Sequence, residues 1–496
     1  MSRKLSLGSA CVVILGSLLL LFGCVHERRD RDTSSKQEKQ SWDDYVNSFI
    51  ENYFVAHPDF AVRAGRHEFD GKLPDLSPEG ITREIQRLRA EKARVSKFED
   101  DRLDKADEFE RKYVMAVIAA DLFWLESAEW PYRNPQFYAD AVDPDVYVSR
   151  AYAPLNQRMR AYTHYAKAIP ALVEQIKKNL RTPLPKTYVQ IGRTTFGGLV
   201  SFYEKDVTAV FASVKDTELQ KNFAAANADA IKAMKDIDAW FASQEATATN
   251  TFALGAAKFS EMLHATERVE VRLDELESIG KRDLDRNRVA LEEACSKYAP
   301  GQSLQACVAK AEINKPQGGP VEMARKQLTE LKAFINEKKI VSIPGTEEAL
   351  VDEAPAYRRW NFAYINIPGP YEKNLPSIYY IAPPDPSWSP AERDAYVPGQ
   401  ANLLFTSVHE VWPGHFLQFL HANRSKSKFG QVFVGYAFAE GWAHYTEEMM
   451  WEAGLGDGDP ETHIGQLLNA MLRNVRFLSA VGMHTGSMTV EESERL

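Results

Sequence analysis

Residues 408–415 read Val408-His409-Glu410-Val411-Trp412-Pro413-Gly414-His415, and this stretch cannot be a regular helix. Proline at 413 removes a backbone donor, and its ring would clash with the carbonyl four residues back, that of His409. Six residues on an ideal helix turn through about 600°, so His409 and His415 would point apart. A chain that uses both histidines at one point must therefore bulge or break at Pro413-Gly414. Proline supplies the break and glycine the conformational freedom. The alternative is a helix-ending Pro-Gly turn between two unrelated histidines. Histidine is scarce, with 11 in the chain, yet His409, His415, His421, His444, His463 and His484 all fall in this last part of it.

With two extra residues, the octet is similar to the metallopeptidase motif H-E-x-x-H. There, two histidines one turn apart bind zinc and the glutamate acts on the metal's water. The following segment, 431–453, reads as one helix stopped at Gly454. Glu440, His444 and Glu447 fall on one of its faces, together with Phe433, Ala437 and Trp451. Ala439, Trp442, Ala443 and Met450 make the other side apolar too, so the pattern predicts a buried helix. A buried carboxylate must be paired, protonated or bound to metal. The expectation is one Zn2+ held by His409, His415 and Glu440, with Glu410 as catalytic base. The rival is a buried ion pair between that carboxylate and Arg473 or Arg476. His444 is either a fourth ligand or a partner of the metal carboxylate. Glu447 is expected to orient a ligand histidine through its other ring nitrogen.

The motifs HEVWPGH, EGWAHYTEE and RNVRFLSAVGMH together resemble the bacterial family called domain of unknown function 885. The resemblance runs from about Trp42 to the end and is most specific over 405–484. It implies a largely helical zinc peptidase, similar in kind to carboxypeptidase Taq and more remotely to dipeptidyl peptidase III. Many members are candidate lipoproteins. His484 matches a family histidine, whereas the aspartate and threonine that precede it in the family stand here as Ala480 and Val481. His484, Tyr379 and Tyr380 are candidates to stabilise an oxyanion, each with a structural role as its alternative. Arg473 or Arg476 would grip a substrate carboxylate, or else pair with Glu440 or Glu447. Thr489-Val490-Glu491-Glu492 is a capping box, but little helix follows it. Family members continue further, so the sequence reads as C-terminally truncated, with loss of activity as one consequence.

The rest of the chain frames this site. Residues 1–23 carry Arg3, Lys4 and then an apolar run, the order of a secretory signal. They end at Leu21-Phe22-Gly23-Cys24, which resembles a lipobox with Cys24 as the lipidated residue. Residues 24–41 are almost wholly polar and predict a flexible tether. From 42 to 339 the pattern is helical, with apolar stripes over 104–127, 214–243, 266–299 and 321–339. Ser77-Pro78-Glu79 opens another helix. Residues 340–496 form the site region. It begins with β-like runs at 340–343, 362–367 and 377–381, separated by prolines. The fold class is therefore mainly α, with a small β element before the His409 helix. Cys295 and Cys307 would pair in an oxidising compartment. The net charge of −9 argues against nucleic acid as a partner. The expected function is a zinc-dependent peptidase of the cell envelope, held to the membrane only by its N-terminal lipid and acting on small peptides. The alternative is an inactive peptide-binding or scaffolding lipoprotein of the same fold.

Overall fold

A computed structural model describes residues 41–496 apart from positions 356, 357 and 360. The expected signal, most of the tether and Cys24 lie outside the described residues. No described helix is long and apolar enough to cross a membrane.

The fold is mainly helical, and side chains cap several of its helices. The first, α1, covers 41–56. Ser77 caps α2 (Pro78–Val95) by accepting from the Gly80 amide. Asp104 caps α3 (Lys105–Leu122) and accepts from Ala106 and Asp107. After α4 (Leu155–Asn179), Asp216 caps α5 (Thr217–Gln244). Helices α6 (Leu273–Tyr298) and α7 (Pro320–Lys338) follow. The stripes expected from sequence fall on α3, α5, α6 and α7. Cys295 and Cys307 form a disulfide with 5.8 Å between Cα atoms.

Three strands come next: β1 (Ala349–Glu353), β2 (Ala363–Asn366) and β3 (Ser377–Ile381). Their order is β1-β3-β2. β1 runs parallel to β3 with Val351 opposite Tyr379, and β2 antiparallel with Ile365 opposite Tyr379. Ser377, Tyr379 and Ile381 point into the core from alternate positions of β3. The run 340–343 is not a strand. Pro344-Gly345 follows it, and Ile340, Val341 and Ile343 instead pack as a covering segment on the core beneath the sheet. β1 takes its place. Sequence patterning missed β1 because only Val351 faces fully inward.

Helices α8 (Gln400–Glu410), α9 (His415–Ala422), α10 (Tyr436–Glu452) and α11 (Pro460–Thr485) complete the site region. α8 crosses α11 at Gly465, where an added Cβ would stand 2.4 Å from the Ala401 backbone. That contact brings the middle of α11 beside the end of α8. The hydrophobic cores do not part at 339/340, where composition suggests a boundary. Phe429, Val432 and Phe433 join the core of α1 to α3. Ile464 and Leu467 join the core around the disulfide, and α7 shares a core with the sheet, α8 and α9.

The segment 431–453 is not one helix. A short helix ends at Val432, and α10 begins only at Tyr436. Phe433 leaves the expected face because an aromatic cluster claims it. Its ring stacks on Phe429 at 4.4 Å and Phe60 at 5.7 Å, and meets Tyr53 edge-on at 4.9 Å. Nor is α10 buried all round, since Tyr436, Phe438 and Tyr445 are exposed.

Candidate metal centre

The break required at Pro413-Gly414 is present. α8 stops at Glu410, four residues turn, and α9 restarts at His415. The Gly414 amide donates to the Val408 carbonyl at 3.0 Å. Only glycine fits, because a Cβ at 414 would stand 1.8 Å from the His409 carbonyl oxygen. The Trp412–Pro413 peptide is cis. Trp442 on α10 donates its indole N–H to the Pro413 carbonyl at 2.9 Å, which fastens the turn to the neighbouring helix.

This turn swings the two imidazoles together, with ring centroids 4.8 Å apart and planes at 87°. Glu440 from α10 meets both, at 3.4 Å from His409 Nε2 and 3.6 Å from His415 Nε2. One ligand atom from each residue lies within 4.8 Å of the others. Tetrahedral zinc with bonds near 2.0–2.1 Å needs donor separations of about 3.4 Å, which the donor types and the two distances to Glu440 match. Glu440 is more open than the sequence suggests, with its side chain 41% exposed.

The fully buried carboxylate is Glu447, two turns further along α10. Its Oε1 lies 2.8 Å from His409 Nδ1 and 3.1 Å from an Arg473 nitrogen. Arg473 can only donate, and its nitrogen also lies 3.1 Å from Nδ1; in the protonated ring Nδ1 donates to Oε1, beside the bond that Oε1 takes from Arg473. In the protonated ring Nε2 also carries a proton, facing Glu440 at 3.4 Å, and a metal ion would displace it. Burial would raise Glu447, but His409, His444 and Arg473 hold it low. Burial would lower His409, yet Glu440 and Glu447 lift it to about 9. Burial and the neighbouring His409 push His415 down. Two adjoining imidazoles thus do not both hold an extra proton, and His415 is a free base at neutral pH.

Glu410 is buried beside the cluster and accepts a 3.0 Å bond from the Ile365 amide of β2. Burial pushes it up to about 7, against the pull of His409. A carboxyl poised near neutrality can both take and give a proton.

The bacterial family model described as protein of unknown function (DUF885) matches residues 58–496. The chain belongs to this family. Among solved structures, a candidate lipoprotein of unknown function from Shewanella oneidensis matches with 22% identity and a TM-score of 0.73, over 91% of this chain and 85% of that one. A candidate lipoprotein from Colwellia psychrerythraea matches with 15% identity and a TM-score of 0.74, over 92% and 85%. At those identities the likeness is one of fold. No curated protein matches the chain.

In this DUF885 chain the other expected residues divide. Arg473 is spent on Glu447 and on the Asn469 side chain at 2.9 Å, so it is not a free grip for substrate. Arg476, one turn on, is exposed and makes no hydrogen bond or ion pair among the described residues. It lies close enough to Tyr436 to bear on that phenol's ionisation, as does Glu440. His444 Nδ1 stands 3.6 Å from Glu447 Oε2, beyond hydrogen-bond reach, and takes no place in the donor triad. Tyr379 is fully buried on the core face of β3, out of reach of any substrate. Tyr380 points to the opposite face, against Tyr364 at 5.4 Å. His484 sits some three turns beyond Arg473 on α11. Its ring stacks on Phe259 and accepts from the Leu254 amide at 3.3 Å, a structural setting away from the cluster. Sequence reasoning missed Ile365, which acts through its backbone and so leaves no side-chain signal. It also missed the hydrogen bond of Trp442, an indole read only as apolar surface.

Proposed function

We propose that this chain is a zinc-dependent peptidase of the bacterial cell envelope, anchored through lipid on Cys24 and acting on small peptides. The observation that carries the reading is the convergence of His409, His415 and Glu440 beside a buried Glu410. Two imidazoles and one carboxylate form a donor set of catalytic zinc sites that keep a position open for water. A bound zinc ion would acidify water and polarise the scissile carbonyl. Glu410 would take the proton of the attacking water and pass it to the leaving amine, for which a carboxyl near 7 is well matched. The Ile365 amide holds its orientation, while Glu447 and Arg473 fix the ring of His409. Arg476 is free to bind a substrate carboxylate, which favours a carboxypeptidase or dipeptidase. The two lipoprotein-like folds support the anchor.

A peptide library assayed with and without chelator tests the reading. Cleavage should vanish with chelator and return with zinc. Glu410→Gln should bind zinc as wild type does and lose about 10²–10⁴-fold in rate. Cleavage that ignores the chelator, or full activity in that variant, overturns the assignment.

A further inference from the structure

A cavity of about 490 Å³ has Tyr436 in its lining, one turn before Glu440, and Ile367, two residues beyond the amide that holds Glu410. Aromatic rings wall it: Tyr53, Phe60, Trp124, Phe433 and Tyr436. Its charged lining consists of Arg63, Asp121 and Glu267. Arg63 is already neutralised by Asp59 at 3.4 Å and Asp140 at 3.2 Å. Asp121, near the C-terminal end of α3, touches only the Tyr53 hydroxyl at 3.4 Å. His57, Glu84 and Arg87 lie within its field, but they bind one another, and Arg87 sits over the Tyr53 ring. Among the described residues no cation is in ion-pair contact with Asp121. Glu267, exposed at the rim, has no partner either. Burial pushes Asp121 up to about 6 against the pull of His57 and Arg87, and a cation bound beside it would favour the charged form.

An acidic cavity with aromatic walls suits a cation. The rings attract it through their faces, and the carboxylate supplies a charge-assisted bond. We propose that this cavity is the subsite for a cationic group of the peptide, with Asp121 as its counter-charge. The group is a lysine or arginine side chain, or a free α-ammonium. The subsite gives the peptidase reading a substrate class and rests on that reading, but binding tests it independently of turnover.

Calorimetry with the full chain, with zinc and with chelator, would use N-acetylated peptides that carry lysine, arginine, norleucine or citrulline at one position. The same peptides with free N-termini form the second arm. The lysine and arginine peptides should bind about tenfold to a hundredfold more tightly than their neutral isosteres, and Asp121→Asn should erase that ratio. If only a free N-terminus confers the gain, the α-ammonium is the occupant. In wild type, carbodiimide should couple the lysine peptide to Asp121, identified by mass spectrometry, which needs no variant to fold. Equal affinities across the panel, a ratio that persists in folded Asp121→Asn, or coupling confined to surface acids overturns the subsite. Selective binding without chelator-sensitive cleavage overturns the peptidase reading instead, and cleavage without selectivity overturns only the subsite.

Discussion

Glu410 is buried where water cannot solvate its charge, and that sets how the metal-free protein responds to pH. Its carboxyl rises from 4.5 to about 7 in the folded chain. Between those values the folded state holds a proton that the unfolded state has released. Stability from this residue therefore falls as pH rises through that window, by about 3 kcal/mol in all. Gln at 410 keeps the acceptor for the Ile365 amide but has no charge to bury. In chelator, Glu410→Gln should be more stable than wild type at pH 8 and no more stable at pH 4.5, as read by denaturant midpoints. Equal pH profiles would mean that Glu410 is solvated. His409 works in the same sense over a higher window, since its pKa is raised to about 9. Its contribution is full below about 6.5 and is lost as pH rises through 9. Glu410 is one of the charges that lift His409, so the variant should also lose part of that step, and the pH 4.5 to 7 window is where the two profiles report Glu410. Glu447 acts at one remove, through the His409 ring. Glu447→Gln should weaken zinc binding about 10–100-fold in a chelator competition, with the fold retained. Unchanged affinity would reduce Glu447 to an ion-pair partner of Arg473.

The turn between α8 and α9 is the element on which the site depends. In Gly414→Ala the new Cβ would occupy the place of the His409 carbonyl oxygen, 1.8 Å away. The turn must open, at a cost of more than about 3 kcal/mol, and the imidazoles must separate. Thermal unfolding and zinc titration should both show the loss, and wild-type zinc affinity in this variant would contradict the geometry. The break itself was legible in the sequence because proline and glycine act locally. The helix start at Ser77 was legible for the same reason, as were the stripes on α3, α5, α6 and α7. What escaped depends on contacts distant in the chain. Phe433 fits the periodicity of α10 but is drawn into the aromatic cluster of Phe49, Tyr53 and Phe60. His484 lies close in sequence to the arginines of α11, yet helix rise carries it away to Phe259. β1 gains its place from pairing with β3, which no local pattern announces.

At the scale of the whole molecule, the N-terminal helices grip the site region through the loop between β2 and β3. Glu372 in that loop is almost fully buried and binds Arg150 at 2.7 Å, His67 at 3.1 Å and the Gly369 amide at 2.8 Å. The Tyr371 amide donates to the Ala64 carbonyl at 3.0 Å. The same loop lines the cavity through Ile367 to Pro370, and β2 ahead of it carries the amide that holds Glu410. Burial alone would depress His67, but Asp70 and Glu372 lift it to about 9. The latch is therefore strongest below about pH 6.5, the unfolded value, and weakens as pH rises through 9. Glu372→Gln keeps the shape and removes the anion between two cations. It should lose about 3 kcal/mol at pH 7, because His67 and Arg150 are left partly buried without their counter-charge. The stability slope between pH 6.5 and 9 should flatten along with it. Faster amide exchange over 365–376 would show that the loop has loosened, and loosening there should also release Glu410 from Ile365. A variant with wild-type stability and unchanged exchange over that loop would mean that the two halves are held by their shared hydrophobic cores alone.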